Sequence, residues 1–404
     1  MKHSILSVIF LVLVFLSCKK EDSEPEIKEY NCTLQVKTNT STVPYTYQFV
    51  ITNSDGDMLY NEIIQDGIGT PVTYNSSSEK INLSIFRRNE NKILVTTYLD
   101  IVPGDWELTA SNTFYNLAEN LYEHVTLVPS TACYTDLPSG IGFDIDFFAS
   151  GGYAGTSWSL DDSLCINYRH RPSSYYVYIL LRNLGLYKIN KVTEDTVISL
   201  ESMQTASELN MSTNLGSAVT PYYAGIQCIM DVNDIYSWFW TNGFNIEPED
   251  QVYPGSGIAY YLSSLDWKDE NNSLYRNYYF KNIVPDYHVL IDEPALLNID
   301  FTNFAIKFSG ENPTYYSAIW KNENITWSII LPAEETNFNA KKIWNSIQTD
   351  FLENIDASSL LLSKVIVETA DNLSFQDFYN KVLDSNPTEY YLIEESKKIS
   401  ITSF

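Results

Sequence analysis

Residues 45–57 form the stretch YTYQFVITNSDGD, and this stretch decides the fold class of the chain. Apolar or aromatic side chains alternate with polar ones from Tyr45 to Thr52, which is the pattern of a half-buried β-strand. The next segment, Asn53–Asp57, consists of Asn, Ser, Asp and Gly, which favour tight turns. The stretch therefore predicts a strand that leads into a hairpin.

The same alternation continues outward from this hairpin, with turn residues at intervals of roughly ten positions. It predicts further strands at residues 31–37, 80–87 and 92–99. Roughly seven short strands in about 100 residues are typical of an immunoglobulin-like β-sandwich. We therefore predict such a sandwich over residues 30–130, and a second β-rich domain over residues 131–220.

An aromatic-rich carboxy-terminal domain, residues 221–404, combines strands with two predicted amphipathic helices. Apolar residues recur at helical spacing over Asn337–Ile355 and over Ser374–Leu383. The second helix opens with a Ser374-x-x-Asp377 capping pattern. A strand is predicted after each helix, so this domain is expected to be β-rich or α+β, within a chain that is mainly β.

The amino terminus carries an export signal. Lys2 precedes an apolar stretch, Ile5–Leu16, which as a helix is about 18 Å long and too short for a hydrocarbon core of roughly 30 Å. Residues 1–17 are therefore predicted to be a signal peptide.

Phe15-Leu16-Ser17-Cys18 resembles the lipobox of bacterial lipoproteins, although the commonest form has Leu in the place of Phe15. The resemblance implies that Cys18 receives a diacylglyceryl group and starts the mature protein, with residues 18–29 as a solvated tether. The following Lys-Lys-Glu-Asp run resembles lipoproteins of the Bacteroidota that are exported to the outer face. We therefore expect membrane attachment through Cys18, an outer-membrane location and an orientation towards the cell exterior.

The charge of the chain excludes one class of partner. It has 25 basic and 51 acidic residues and a formal net charge of −26. Proteins that bind nucleic acid need a basic surface, so we expect no nucleic-acid partner.

Four cysteines follow Cys18, and none of them has the spacing of a zinc site. They are widely separated, at Cys32, Cys133, Cys165 and Cys228. They allow up to two disulfides in three full pairings, and four buried free thiols fit the sequence equally well. We expect no metal ion and no cofactor.

The sequence carries no motif that commits it to a catalytic reaction. The nucleophile elbow, the HExxH zinc motif, the Walker loop and the dinucleotide fingerprint are all missing from it. Asp144 and Asp146 are separated by one residue and would share one face of a strand. They form a weak candidate for a catalytic or calcium-binding pair, and a solvated strand face explains them equally well.

The best candidate for a binding surface is Ile235-Tyr-Ser-Trp-Phe-Trp240. As a strand, it would place Tyr236, Trp238 and Trp240 in a row on one face, where aromatic rings can stack on sugar rings. Packing of these rings in the core is the alternative explanation.

A second, weaker signal concerns modification. Asp162-Ser163-Leu164 and Asp195-Thr196-Val197 resemble the short acceptor motif for O-glycosylation in Bacteroidota, which makes Ser163 and Thr196 candidate sites.

These observations predict a non-enzymatic, surface-exposed outer-membrane lipoprotein that binds a glycan or an envelope protein. A structural or adhesive component of the cell envelope is the alternative. An extracellular hydrolase that uses carboxylates is a further alternative with less support.

Overall fold

The computed structural model describes residues 27–37, 46–64, 70–88, 92–111, 128–136, 143–149, 153–159, 164–170, 176–191, 195–199, 202–209, 220–231, 238–241, 252–284, 294–309, 312–349, 352, 359–383 and 395–402. The fold is mainly β, as predicted, and two α-helices lie within those ranges. Neither of these helices is long and apolar enough to cross a membrane. Cys18 and the predicted signal peptide lie outside the described residues.

The amino-terminal region contains seven strands in two sheets. One sheet has the order β4-β1-β7, and β3-β2-β5-β6 belong to a larger sheet; buried residues of β2, β3, β4, β5 and β6 share one core cluster. The strands are β1 (Lys28–Lys37), β2 (Thr46–Asn53), β3 (Met58–Ile64), β4 (Thr70–Ser76), β5 (Ile81–Arg88), β6 (Ile93–Ile101) and β7 (Glu107–Ser111). In an immunoglobulin domain the first strand pairs with the second, whereas β1 pairs with β4 and β7 here, so the predicted immunoglobulin-like order is not confirmed.

The hairpin predicted from residues 45–57 is confirmed. β2 and β3 pair as antiparallel strands, and the turn closes through a hydrogen bond of 2.9 Å from the Asn53 amide to the Asp57 carbonyl oxygen. Gly56 has a φ of +97°, a conformation that costs glycine less than any other residue. The Asn53 side chain also accepts the Asp57 N–H at 2.8 Å. The turn residues therefore act through local hydrogen bonds.

The middle region has two smaller sheets, with the orders β10-β9-β12-β13-β15 and β11-β8-β14. Their strands are β8 (Val128–Thr135), β9 (Phe143–Ala149), β10 (Tyr153–Ser159), β11 (Leu164–His170), β12 (Tyr176–Leu181), β13 (Leu186–Lys191), β14 (Thr196–Ser199) and β15 (Gln204–Thr205). β16 (Ser207–Glu208) pairs with β19 (Val252–Tyr253). A disulfide joins Cys133 to Cys165, which lie directly opposite each other on β8 and β11. Of the pairings that the sequence left open, the structure contains this one.

The carboxy-terminal region contributes most of a twelve-stranded sheet of order β18-β17-β20-β21-β28-β27-β24-β25-β6-β5-β2-β3. Its strands are β17 (Thr220–Ile229), β18 (Trp238–Trp240), β20 (Tyr260–Lys268), β21 (Leu274–Lys281), β24 (Tyr315–Lys321), β25 (Ile325–Pro332), β27 (Leu361–Ala370) and β28 (Glu395–Ile401). β25 pairs in parallel with β6, so the sheet joins strands from the first and third predicted domains. The boundaries of the predicted domains remain predictions.

One face of this sheet is covered at both ends by core clusters. The first cluster lies beneath helix α1 (Ala340–Ser346) and a small sheet of β22 (Ala295–Asp300), β23 (Asn303–Lys307) and β26 (Asn337–Phe338). Its largest buried rings are Trp320, Trp327 and Trp344. The second cluster packs β17, β20 and β21 against Tyr178 and Leu180 of β12.

The two predicted helices differ in how well they match the structure. Helix α2 (Phe375–Leu383) begins where the capping pattern predicts, because the Ser374 hydroxyl accepts the Asp377 N–H at 3.1 Å. The prediction of a helix over Asn337–Ile355 is confirmed over α1 and wrong at its start, where Asn337–Phe338 form β26, and at residues 347–349, which are not helical; residues 350, 351 and 353–355 lie outside the described residues. The Ile347 N–H bonds to the Trp344 carbonyl oxygen, three residues back, and this tighter turn ends the helix.

Candidate functional site

The structure describes the last three residues of the predicted aromatic strand, and these three residues do form a strand. Trp238, Phe239 and Trp240 form β18, the edge strand of the twelve-stranded sheet next to β17. Thr241 fixes the end of β18, because both its N–H and its hydroxyl donate to the Ile226 carbonyl oxygen, at 2.9 and 3.1 Å. Tyr236 lies outside the described residues.

Strand register aligns these tryptophans with positions on two further strands. Ile229 of β17 lies between Trp238 and Tyr260, and Gln227 lies between Trp240 and Leu262. Residues directly opposite each other in neighbouring strands share one face of a sheet. The strand positions of Trp238 and Trp240 therefore belong to the same face of the sheet as Tyr260, and the side chains of both tryptophans lie outside the described part of the structure.

This face is the one opposite the core. Ala224, Ile226 and Cys228 alternate with the aligned positions along β17, and all three are buried in the core cluster. Burial raises the pKa of the Cys228 thiol well above its ordinary value. Side chains at alternate positions point to opposite faces, so the aligned positions face away from this core.

An exposed aromatic ring is held rigidly on that face. Tyr260 is 37% exposed and stacks on Phe280, with ring centroids 5.0 Å apart and planes 8° apart. Phe280 is almost fully buried and lies on β21, directly opposite Leu262 of β20. The buried ring fixes the orientation of the exposed ring, which leaves one face of Tyr260 for a ligand.

We name these positions together the aromatic face. It consists of the aligned residues on four adjacent strands, namely Gln227, Ile229, Trp238, Trp240, Tyr260, Leu262 and Phe280. It combines aromatic and aliphatic surface with one amide side chain. Such a surface can stack on the apolar face of a sugar ring while an amide hydrogen-bonds a hydroxyl group.

Sequence reasoning found the tryptophans of this face and missed Tyr260 and Phe280. These two residues lie 20 or more positions further along the chain, and only strand pairing brings them to the tryptophans. The Tyr260-Tyr261 doublet was the available signal, because neighbouring rings in a strand face opposite ways. Tyr261 is 4% exposed, and its hydroxyl donates to the Pro254 carbonyl oxygen at 2.5 Å.

Asp144 and Asp146 lie in the predicted strand, which the structure contains as β9. Asp146 is opposite Leu180 on one side and Thr156 on the other, and Asp144 is opposite Trp158. β9 and β18 belong to different sheets that approach each other, with Cα atoms within 8 Å, so the two candidate groups lie on strands that are close in space. The side chains of both aspartates lie outside the described part of the structure. Within the described part, no three His, Cys, Asp or Glu residues are grouped to hold a metal ion.

The modification candidates are only partly described. Ser163 lies outside the described residues, and Thr196 is the first residue of β14, opposite Ala132. The Asp195 carboxylate of this motif accepts the Thr131 N–H at 2.7 Å. The acidic residue of the motif therefore ties the start of β14 to β8.

No protein-family model matches the chain, and no curated protein has a significantly similar sequence. The function must therefore be inferred from the geometry of the chain itself.

Proposed function

We propose that this chain is a lipoprotein of the outer membrane that faces the cell exterior and binds a glycan on the aromatic face without catalysing a reaction. The observation that supports this most is the in-register alignment of Trp238 with Ile229 and Tyr260. It places aromatic positions from two strands on one side of a rigid sheet, directed away from the core.

The chemistry of sugar binding suits such a surface. A pyranose ring has C–H groups on its faces and hydroxyl groups around its rim, so flat rings contact the faces while amides and hydroxyls bind the rim. Tyr260 supplies a fixed ring, and Gln227 supplies an amide in the adjacent strand. Because these groups lie on strands, binding requires little ordering of the protein and loses little entropy.

Binding to a panel of purified polysaccharides tests the site. We expect the intact chain to bind at least one polysaccharide, and Tyr260→Ala and Trp240→Ala each to weaken that binding at least about tenfold, equivalent to about 1.4 kcal/mol. Tyr60→Ala is the matched control, because Tyr60 lies on β3, the opposite edge strand of the same sheet. This control should bind as the unaltered chain does.

Failure of the chain to bind any member of the panel would contradict glycan binding. Equal loss in Tyr260→Ala and Tyr60→Ala would assign the effect to folding instead of the site. Isolation in a stoichiometric complex with an envelope protein, with no glycan bound, would favour the structural or adhesive alternative.

The membrane anchor has its own test. Cells that express the chain are labelled with a palmitate analogue, and the Cys18→Ala variant is compared with the unaltered chain. We expect label only on the unaltered chain, because two acyl chains hold a protein on a bilayer and the variant has no acceptor thiol at that position. Label on Cys18→Ala would contradict the anchor, and protection of the chain from protease added to intact cells would contradict the outward orientation.

A further inference from the structure

A cavity of about 210 Å³ lies away from the aromatic face, where β12 and β13 approach the end of β17. Tyr176, Ile189 and Met230 form its apolar walls, and all three pack against the core cluster beneath β17. The remaining walls carry polar groups from β13, β15 and the loop before β20. The cavity is smaller than a typical site for a drug-sized ligand, so it suits a ligand of about one ring.

The polar wall is a closed hydrogen-bond network around the hydroxyl of Tyr187, a residue that is 2% exposed. This hydroxyl donates to Oε1 of Gln204 at 2.7 Å and accepts the Ser256 N–H at 3.3 Å. The Ser256 hydroxyl also donates to Oε1 of Gln204, at 3.0 Å. The network orients the Gln204 amide, because its oxygen accepts two hydrogen bonds and its NH₂ group remains on the other side.

Lys191 adds positive charge to this cavity, whereas the side chain of Lys188, three positions earlier on β13, points to the other face of the strand. Lys188 donates from Nζ to the Ser202 carbonyl oxygen at 3.1 Å, which uses one of its three N–H donors. Lys191 lies directly opposite Tyr176, and its Nζ is 6.0 Å from the centre of that ring. Within the described part of the chain, neither ammonium group makes an ion pair, and no Asp or Glu lines the cavity.

The surplus of donors is unusual for this chain. The protein has twice as many acidic as basic residues, and no Lys or Arg occurs between Lys191 and Lys268. Lys191 is thus the last basic residue before an acidic stretch. A ligand that binds here must supply acceptors, and a carboxylate supplies several of them together with the compensating charge.

We propose that this cavity binds a sugar acid, with the carboxylate held by Lys191 and the Gln204 amide and the ring against Tyr176 and Met230. The site is separate from the aromatic face, and it does not depend on glycan binding there. It is a ligand site with no assigned reaction.

Calorimetry with galacturonate and with its methyl ester tests this proposal, because the two one-ring probes differ in charge and share their ring structure. We expect galacturonate to bind, the ester to bind at least about tenfold more weakly, and added salt to weaken the binding of the acid. Lys191→Met and Gln204→Glu should each reduce binding of the acid at least about tenfold. Gln204→Glu is informative because its carboxylate still accepts from Tyr187 and Ser256 but replaces the donor with a negative charge.

Lys341→Met, which alters an exposed lysine on α1, is the matched control and should bind as the unaltered chain does. Tyr260→Ala should also leave this binding unchanged, since it alters the aromatic face. Absence of binding to the acid, equal binding of acid and ester, or unchanged binding in Lys191→Met and Gln204→Glu would each overturn the proposal. Loss of binding in Tyr260→Ala alone would place the acid on the aromatic face and also overturn it.

Discussion

Arg276 holds Asp266 across β20 and β21 with two hydrogen bonds of 2.7 Å, one from Nε to Oδ1 and one from Nη2 to Oδ2. The carboxylate side chain is 3% exposed, whereas the guanidinium side chain is 39% exposed. On its other side, Arg276 lies directly opposite Lys398 of β28, and like charges in that position repel each other. Lys398 has its own carboxylate, Glu368 of β27, at 3.4 Å. These four charged residues form a row across four strands. The repulsion between the two central cations is offset because each of them pairs with a carboxylate on its outer side.

Asp266→Asn tests this pairing. The change removes one charge from a buried two-bond pair and leaves Arg276 with one weaker acceptor, so we expect a loss of about 1–3 kcal/mol in the free energy of unfolding. Urea unfolding measures this loss, provided that the slope of the free energy of unfolding against urea concentration is the same for both proteins.

The matched control is Lys80→Met. Lys80 and Asp100 are 3.7 Å apart, and the lysine side chain is 50% exposed, so this pair should contribute at most about 1 kcal/mol. In the double variant Asp266→Asn/Arg276→Met, the loss should be smaller than the sum of the two single losses. Additive losses, or equal losses in Lys80→Met and Asp266→Asn, would contradict the paired arrangement.

The capping box of α2 supports a second prediction. The Ser374 hydroxyl accepts the Asp377 N–H, and the Asp377 carboxylate accepts the Ser374 N–H at 3.2 Å. Ser374→Ala should lower the free energy of unfolding by about 0.5–2 kcal/mol. The change is expected to loosen α2, in which Phe378 stacks on Tyr315 and Tyr379 packs into the core cluster of the amino-terminal strands.

Hydrogen exchange measures this effect locally. Amides of α2 should exchange faster in Ser374→Ala, while those of β2 keep their protection. Asn380→Ala is the control, because it alters an exposed residue whose side-chain hydrogen bond is to Gln376 of the same helix, and it should change the exchange of α2 much less than Ser374→Ala does. Faster exchange in β2 and α2 together would show that the change acts on the whole protein and not on the cap.

Glu335 supports a prediction of pH dependence. Burial raises the pKa of its carboxyl group above the ordinary value, and the neighbouring Asp100 carboxylate raises it further by repulsion and by a hydrogen bond. A carboxyl whose pKa is raised on folding favours the folded state in its protonated form. It loses this advantage as pH rises from about 4.3, the ordinary value, through the raised value.

Glu335→Gln should therefore stabilise the protein at pH 7, because it removes the ionised group from this site. The advantage over the unaltered chain should shrink as pH falls and vanish near pH 3, where both forms are neutral. Thermal unfolding across this pH range measures the difference, with Glu323→Gln as an exposed control. A stabilisation that is as large at pH 3 as at pH 7 would contradict the shifted pKa as its cause.

Local sequence patterns predicted the elements that depend on nearby residues. The 53–57 turn and the start of α2 were predictable because their hydrogen bonds join residues three or four positions apart. The end of α1 was not, because the apolar spacing of Ile343 and Trp344 continues to Ile347 after the helix has stopped. Ile347 is buried in the core although it lies outside the helix, so burial continues the apolar pattern where the helix has ended.

Long-range pairing was outside the reach of the sequence. Trp327 donates from its indole N–H to the Thr97 hydroxyl at 2.9 Å, across 230 residues, and this contact belongs to the parallel β6–β25 pair. Alternating strands contain no signal for which other strand they will join. The same limit applies to the candidate site, because Tyr260 reaches Trp238 only through Ile229.

The cysteines give the last prediction. Cys133 and Cys165 form a disulfide between β8 and β11, whereas Cys228 is a fully buried free thiol. Burial raises the pKa of the Cys228 thiol and so disfavours the reactive thiolate. In the folded protein we therefore expect a Cys133–Cys165 peptide on non-reducing mass mapping, and no alkylation of Cys228 until denaturant is added.

Cys133→Ser should lower the free energy of unfolding by about 2–4 kcal/mol, since the disulfide closes a loop with a sequence separation of 32. Cys228→Ala removes packing alone, so its loss in the free energy of unfolding should be the same with and without a reductant. The loss caused by Cys133→Ser should disappear in a reductant, because the unaltered chain then lacks the disulfide as well. Rapid alkylation of Cys228 in the folded protein, or its recovery in a disulfide, would contradict this assignment.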